Sequence, residues 1–253
     1  MRIGAALPAG SIGGGPPAAG TVADSARRLE DAGYRSIWVF DAVGRGFILP
    51  DPLMALAVVA TVTGDGVELG TGVLQLPIRN TPELAHRILT LHLLAGDRLL
   101  LGIGPGSTAA DFATFGGSFD DRFSRFEDQL DELRSWLGTG AHGEADLTPW
   151  PSVAGGPGLY LAGWRGRWVE RAADEAGWIA SAAYADDDTL SDAIGRFRRA
   201  GGRRAVVTNV QVGPDLEAAR RRLEQLSAMG FDDAILFDLT PTDERLAAMA
   251  DTV

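Results

Sequence analysis

Four short segments carry the residue types from which chemistry could be assembled. In Phe40-Asp41-Ala42 a carboxylate directly follows an apolar run, so Asp41 is placed either to face a ligand or to cap the segment that follows. In Thr71-Gly72-Val73-Leu74-Gln75 a glycine interrupts an apolar run just before an amide side chain. A glycine in such a position marks a bulge or a close backbone approach. Gly102-Ile103-Gly104-Pro105-Gly106-Ser107 sets three glycines within five residues, as suits a backbone that must come close to something flat or phosphorylated. It is not a Walker loop, lacking the Gly-Lys-Ser/Thr ending, nor does it have the spacing of the dinucleotide fingerprint. The fourth, Gly163-Trp164-Arg165-Gly166-Arg167, runs straight into a helical stretch from Trp168. Free N–H groups at a helix start, two flexible glycines and two guanidiniums would together suit a phosphate. An exposed basic turn would have the same residues.

Composition narrows what these segments can serve. The chain has 253 residues and a formal charge of −11. Such an acidic surface is expected to repel nucleic acid and anionic membranes. There are no cysteines, which removes disulfides, thiolate metal sites and thiol nucleophiles together. His86 and His92 are six apart, on different faces of a helix, so no metal pair is expected of them. The apolar run near Met1 reads as a first strand, not a signal peptide, and no run approaches a membrane span. A soluble, cytoplasmic protein is the expectation.

The elements that must position these residues follow from the apolar pattern. Continuous apolar runs at Ile3–Leu7, Ser36–Phe40, Val67–Val73, Leu99–Ile103, Leu159–Ala162, Trp178–Ala182, Ala205–Val210 and Ala234–Phe237 read as eight strands covered on both faces. Amphipathic helices fall between them. Phe119–Leu137 is expected to start on a Ser118/Asp121 capping box, and Val22–Ala32 on Thr21/Asp24 with Gly33 as its stop. Thr81-Pro82, Asp51-Pro52, Pro214-Asp215 and Pro241-Thr242 mark four further starts. Eight strands followed by helices, in one chain of this length, predict a single (β/α)8 TIM barrel over residues 1–253. An open doubly wound sheet would more often have five to seven strands. In a barrel all four segments lie at the C-terminal ends of strands, where active sites sit. The Gly- and Pro-rich stretch Gly138–Gly158 then lies on the opposite face as a connector.

Taken as a set, these residues resemble a known family. Gly70–Ala85, Leu93–Gly104, Asp111-Phe112, Phe115-Gly116, Arg122 and Ala173–Trp178 are similar to the corresponding signatures of the luciferase-like monooxygenases, FMN- or coenzyme F-420-dependent oxidoreductases. The resemblance implies a flavin-type ring over the barrel mouth, FMN in the first instance and F-420 as the alternative. Gly72 and Val73 would lie behind the ring, with a non-proline cis peptide between them. Gly104, Gly106 and Ser107 would follow the ribityl chain, and Gly163, Trp164, Arg165, Gly166 and Arg167 would hold the phosphate. Asp41 and Gln75 would stand near the ring or substrate as the catalytic residues. Phe112 and Phe115 are placed either as pocket walls or as core. Implied partners are a small organic substrate, a flavin reductase or NAD(P)H, and a second copy in a homodimer. Two departures stand out. Ala42 replaces a histidine common after the strand-two Asp, and Val210–Pro214 passes almost directly into a helix where larger members have a long covering insertion. Water exclusion would then fall to a dimer partner or to the Ser107–Gly117 loop. Two other functions fit the same residues: a flavin carrier without turnover, and a cofactor-free barrel acting on a phosphorylated metabolite.

Overall fold

Continuous apolar runs need cover on both faces, and a closed parallel barrel ringed by helices supplies it. The computed structural model describes residues 1–10, 16–142 and 144–250. Its strands are β1 (Arg2–Ala6), β2 (Ser36–Val39), β3 (Glu68–Thr71, continued at Leu74–Gln75), β4 (Leu99–Gly104), β5 (Gly158–Ala162), β6 (Gly177–Ser181), β7 (Ala205–Gln211) and β8 (Asp233–Phe237). Every neighbouring pair is parallel, from β3 through β2, β1, β8, β7, β6 and β5 to β4. Pairing of Leu69 with Leu99 and Gly70 with Leu100 then closes the ring. The predicted strands differ from these by one or two residues at their ends. No helix among the described residues is long and apolar enough to cross a membrane.

The outer ring comprises α1 (Thr21–Asp31), α2 (Pro52–Val62), α3 (Thr81–Ala95), α4 (Ala109–Thr114), α5 (Arg122–Gly138), α6 (Trp168–Arg171), α7 (Asp187–Arg199), α8 (Leu216–Met229) and α9 (Asp243–Ala250). Asp51, Asn80, Asp186 and Asp215 accept hydrogen bonds from the free N–H groups of α2, α3, α7 and α8. Two expected capping boxes do not form. The cap of α1 is Gly20 in the left-handed region, while Thr21 Oγ1 accepts from the Ala18 N–H at 2.8 Å. The helix expected from Phe119 begins at Arg122, because the Phe119 ring packs edge-on against Phe112 with centroids 5.4 Å apart. The helix expected over Trp168–Ala176 is a single turn followed by a 3-10 turn, since β6 already starts at Gly177. The Gly138–Gly158 stretch includes a small antiparallel hairpin, Ala141–His142 with Ala145–Asp146.

Side chains fill the barrel. Trp38, Leu100, Tyr160, Ile179, Val206 and Ile235 form the inner cluster, separate from the larger core between strands and helices. Trp38 fits because β3 offers Gly70 opposite it; a Cβ there would stand 2.3 Å from the indole. The N-terminal end below is closed by charge. Arg204 donates to Glu68 at 2.8 Å and to Asp233 at 2.9 Å, and Arg2 joins Asp233 at 3.0 Å. Asp233 is buried and needs those partners, because an unpaired buried charge is costly.

Burial by itself would raise the pKa of Glu68. The hydrogen bonds and charge of Arg204, aided by Arg2, outweigh it and hold the carboxyl below its ordinary value of 4.5. A lowered folded pKa contributes stability that is complete above the ordinary value and is lost as pH falls through the folded one. Denaturant unfolding of the wild type from pH 6 to pH 3 is therefore expected to steepen below about pH 4.5. Glu68→Gln should flatten that fall and cost about 1–2 kcal/mol at pH 7, an amount discounted for the side chain's partial exposure. An unchanged pH profile in the variant would remove Glu68 from the barrel floor.

Candidate functional site

The C-terminal ends of all eight strands open into one cavity of about 1400 Å³. This exceeds the roughly 300–1,000 Å³ usual for a small-molecule site. Asp41, Gly72, Val73, Gln75, Gly104, Gly106, Ser107, Gly163, Trp164, Arg165 and Gly166 line it together. Arg167 does not. Its guanidinium turns away to the Glu127 carboxylate, which also pairs with Arg171 at 3.0 Å. Phe112 is core, and Phe115 is exposed away from the cavity.

One wall is a buried polar network. Asp41 Oδ2 accepts from the Gln75 backbone N–H at 2.9 Å and from Arg79 at 2.8 Å. The Gln75 amide Nε2 donates to the Asp41 carbonyl at 3.1 Å and to Asp111 Oδ2 at 2.8 Å. Asp111, on α4, is wholly buried and accepts from Arg45 Nε at 2.9 Å and from the Val43 N–H at 3.3 Å. The Asp111 hydrogen bond raises the Arg45 pKa above its ordinary value. Gly44 makes this docking possible. It sits at φ 77°, and a Cβ there would lie 2.7 Å from the Ala110 carbonyl. Gln75 Oε1 is buried with no hydrogen-bond partner.

Beneath that wall β3 breaks. The Gly72–Val73 peptide is cis, and the strand resumes at Leu74 beside Ile103. Gly104 and Gly106 keep the adjoining floor low. A Cβ on Gly104 would meet Val73 at 3.0 Å, and one on Gly106 would meet Gln75 Oε1 at 2.7 Å. Across the cavity, Gly163 and Gly166 adopt φ of 149° and 63°. Trp164 between them lies nearly parallel to Tyr184, with ring centroids 6.0 Å apart.

The charges follow a pattern. The lining carboxylates, Asp41 and Asp238, are each paired, with Arg79 at 2.8 Å and Arg245 at 2.9 Å. Of the lining arginines, Arg45 is neutralised by Asp111, while Arg122 and Arg165 form no ion pair among the described residues. Arg122 rests on the faces of Phe119 and Phe123. No histidine lines the cavity. The site therefore offers Arg122, Arg165 (whose charge also acts on Asp186), apolar walls and backbone N–H groups, and its carboxylates are already committed.

Several of these residues were not singled out in the sequence. Arg45 was legible in principle, as a charge flanked by Gly44 and Gly46 just after strand two. Asn209 left no such trace. It holds a left-handed φ of 56° in a register break of β7, and its amide donates to Ser181 at 3.1 Å.

A family model described as luciferase-like monooxygenase matches residues 1–249. A 4-hydroxyprotoasukamycin monooxygenase of Streptomyces nodosus subsp. asukaensis is 32% identical over 123 residues, 48% of this chain and 33% of that protein. The chain thus spans about a third of the length of such curated relatives. Among solved structures, monooxygenase RslO1 from Streptomyces bottropensis superposes with a TM-score of 0.78 at 17% identity, covering 99% of this chain and 96% of that one. An F-420-dependent secondary alcohol dehydrogenase, solved with an F-420–acetone adduct, gives a TM-score of 0.75 at 13% identity over 100% and 98%. At these identities the likeness is one of fold.

Asp111→Ala should release the 43–50 loop from α4. Removing one partner of a buried pair leaves the other uncompensated, and Arg45 remains partly exposed, so a loss of about 2–4 kcal/mol in unfolding free energy is expected. Limited trypsin digestion should then cut after Arg45 many-fold faster than in the wild type. Equal cutting rates would show that Asp111 does not hold the loop.

Proposed function

The chain belongs to the luciferase-like monooxygenase family, and from that premise we propose that it is a flavin- or deazaflavin-dependent oxidoreductase acting on a small organic substrate at this cavity. The observation that carries the reading is the pairing of an open, apolar-walled mouth with two guanidiniums, Arg122 and Arg165, that form no ion pair among the described residues, in a protein of charge −11. A planar cofactor bearing an anionic tail needs that combination.

The residues fit such a group. Gln75 Oε1 is a buried acceptor awaiting a donor, and Gly104 and Gly106 leave a floor that side chains would fill. Gly104, Gly106 and Ser107 would hold the ribityl chain, Gly72 and Val73 the back of the ring, and Gly163, Trp164, Arg165 and Gly166 the phosphate. Bound there, FMN or F-420 would supply the two-electron chemistry. The protein's share is positioning and exclusion of water. The Arg79–Asp41 pair fixes the Gln75 main chain, which sets where Gln75 Oε1 stands. Asp41 is engaged by two donors, so its part is to orient Gln75. Arg165 and Arg122 attract and neutralise anionic groups. Ser181, Tyr184, Thr240 and Thr242 are among the hydroxyls lining the cavity that could meet a substrate oxygen. The connection after β7 is short, so cover comes from the 43–50 loop latched to α4. A small organic substrate, an electron source such as a flavin reductase or NAD(P)H, and a second copy of the chain complete the proposal.

One observation favours a second reading, a flavin carrier without turnover: the lining carboxylates are committed to arginines, and no histidine lines the cavity among the described residues. Bound cofactor that no nicotinamide or substrate panel reduces would support it over the enzyme.

Two outcomes are expected. Titration of the purified protein with FMN and F-420, followed by absorbance, should give saturable binding of at least one. Failure of both leaves the cofactor-free barrel. If FMN binds, Arg165→Ala should weaken FMN by about ten- to a hundred-fold, the equivalent of one charge-assisted hydrogen bond, and riboflavin much less. Arg167→Ala should change neither, because that side chain is held by Glu127. Equal losses for FMN and riboflavin in Arg165→Ala would move the phosphate elsewhere.

A further inference from the structure

A hydroxyl taken out of water needs partners for both its oxygen and its hydrogen, because an unmet polar group there costs free energy. Ser107, Ser181, Tyr184, Thr208, Thr240 and Thr242 all bring hydroxyls to the cavity. Ser107, Tyr184, Thr240 and Thr242 are exposed and keep water as a partner. Ser181, at the end of β6, and Thr208, within β7, are buried, with 6% and 2% of their surface exposed.

These two hydroxyls are wired through Asn209. Its amide nitrogen donates to Ser181 Oγ at 3.1 Å and to Thr208 Oγ1 at 3.3 Å, so both amide hydrogens are spent. The Thr208 hydroxyl passes its own hydrogen to the Ala180 carbonyl at 3.1 Å. That donation fixes the amide, since an amide oxygen facing Thr208 would meet only lone pairs. Ser181 Oγ accepts a second hydrogen bond from the Ala183 N–H at 3.4 Å, and its lone pairs are then taken. The hydrogen of Ser181 has no acceptor among the described residues, and Ser181 lines the cavity, so a ligand in the cavity is what can meet it.

The backbone is bent to make this arrangement. In a regular strand successive side chains point to opposite faces, yet Thr208 and Asn209 both line the cavity. The register of β7 against β8 shifts between Val207 and Val210, and Asn209 stands at φ 56°. Such a left-handed non-glycine residue persists only where its surroundings over-determine it, and Asn is among the few types that visit the region. A Cβ on Gly72 would lie 3.6 Å from Thr208 Cγ2, so the trio borders the place given above to the back of the ring.

We infer that Ser181 is a specificity-determining hydrogen-bond donor of this cavity, that it meets a carbonyl oxygen of the small organic ligand, and that Asn209 is the residue that positions it. A hydroxyl whose oxygen is already saturated can only give, and a carbonyl is a group that accepts without also donating. Ser181 holds that oxygen and transfers no proton to it. The inference rests on the flavin reading above for what becomes of the carbonyl, but not for its binding.

The test titrates the full chain, with and without FMN, with acetophenone, α-methylbenzyl alcohol and ethylbenzene, and reads the carbonyl stretch of bound acetophenone by infrared difference spectroscopy. The wild type should bind the ketone more tightly than the alcohol, with the stretch moved to lower frequency. Ser181→Ala should lower the ratio of ketone to ethylbenzene affinity about tenfold, the worth of one hydrogen bond, and return the stretch towards its position in an apolar solvent. Ser181→Thr keeps the hydroxyl and should retain both properties. Asn209→Asp should behave as Ser181→Ala does, because a carboxylate there accepts the Ser181 hydrogen and withdraws it from the ligand, while Asp tolerates the left-handed backbone. Thr240→Ala removes an exposed hydroxyl and should leave the ratio unchanged. The inference is overturned if Ser181→Ala or Asn209→Asp keeps the wild-type ratio and stretch, if Thr240→Ala has the same effect as Ser181→Ala, or if the wild type binds the alcohol more tightly or binds no ketone. It is also overturned if FMN abolishes ketone binding and Ser181→Ala weakens FMN instead, because Ser181 would then serve the cofactor. Failure of the wild type to bind FMN and F-420 defeats the flavin reading separately, and titration of the cofactor-free chain still decides Ser181.

Discussion

A carboxylate taken wholly out of water must have its charge met, and Asp111 meets this demand with groups drawn from two places in the chain. Arg45 and Val43 come from the loop after β2, and Gln75 from the resumed end of β3. Gln75 then reaches Asp41, and Asp41 reaches Arg79. One buried network thereby sets the height of a loop, the position of α4 and the orientation of the amide in the cavity wall. A half-satisfied buried network is worse than an apolar one, so these residues stand or fall together. What the network leaves open is Gln75 Oε1 and Arg79 Nε.

The two ends of the barrel handle charge differently. At the N-terminal end Arg204, Arg2, Glu68 and Asp233 neutralise one another and close the floor. At the C-terminal end the carboxylates are neutralised while Arg122 and Arg165 are left over. The first arrangement serves stability, because every charge finds its partner inside the protein. The second leaves a half-buried Arg122 and an exposed Arg165 at the cavity, where their charge can attract an anionic ligand.

Cover for the cavity is assembled from several short loops. The connection from β7 to α8 runs only from Val212 to Asp215. Closure falls instead to the 42–50 loop, pinned through Gly44 against Ala110 and through Arg45 against Asp111. A loop held by a buried ion pair can present Phe47 and Ile48 outward without collapsing onto the core.

Much of the frame was legible in the residues alone. Doubly covered strands read as continuous apolar runs, and eight of them in one chain leave few architectures besides a closed barrel. Gly72, Gly104 and Gly106 announced close backbone approach, and a Cβ on them would stand 2.9, 3.0 and 2.7 Å from the nearest neighbour. The strand ends were recoverable since burial on both faces is a local property of the sequence. The partners of charged groups were not, because an arginine's choice of carboxylate depends on what the fold brings near. Arg165 and Arg167 are two residues apart and alike in sequence, yet one lines the cavity while the other is held by Glu127 from α5. The Thr21 and Ser118 caps failed for the same reason: Thr21 found the Ala18 N–H, and Phe119 found Phe112, contacts across a loop that no spacing rule contains. Sequence by itself determined the barrel and which strand ends face the mouth, since both follow from burial and chain order. Only the tertiary structure decided which charges are cancelled and which remain, because ion pairing is settled by distances between residues remote in the chain.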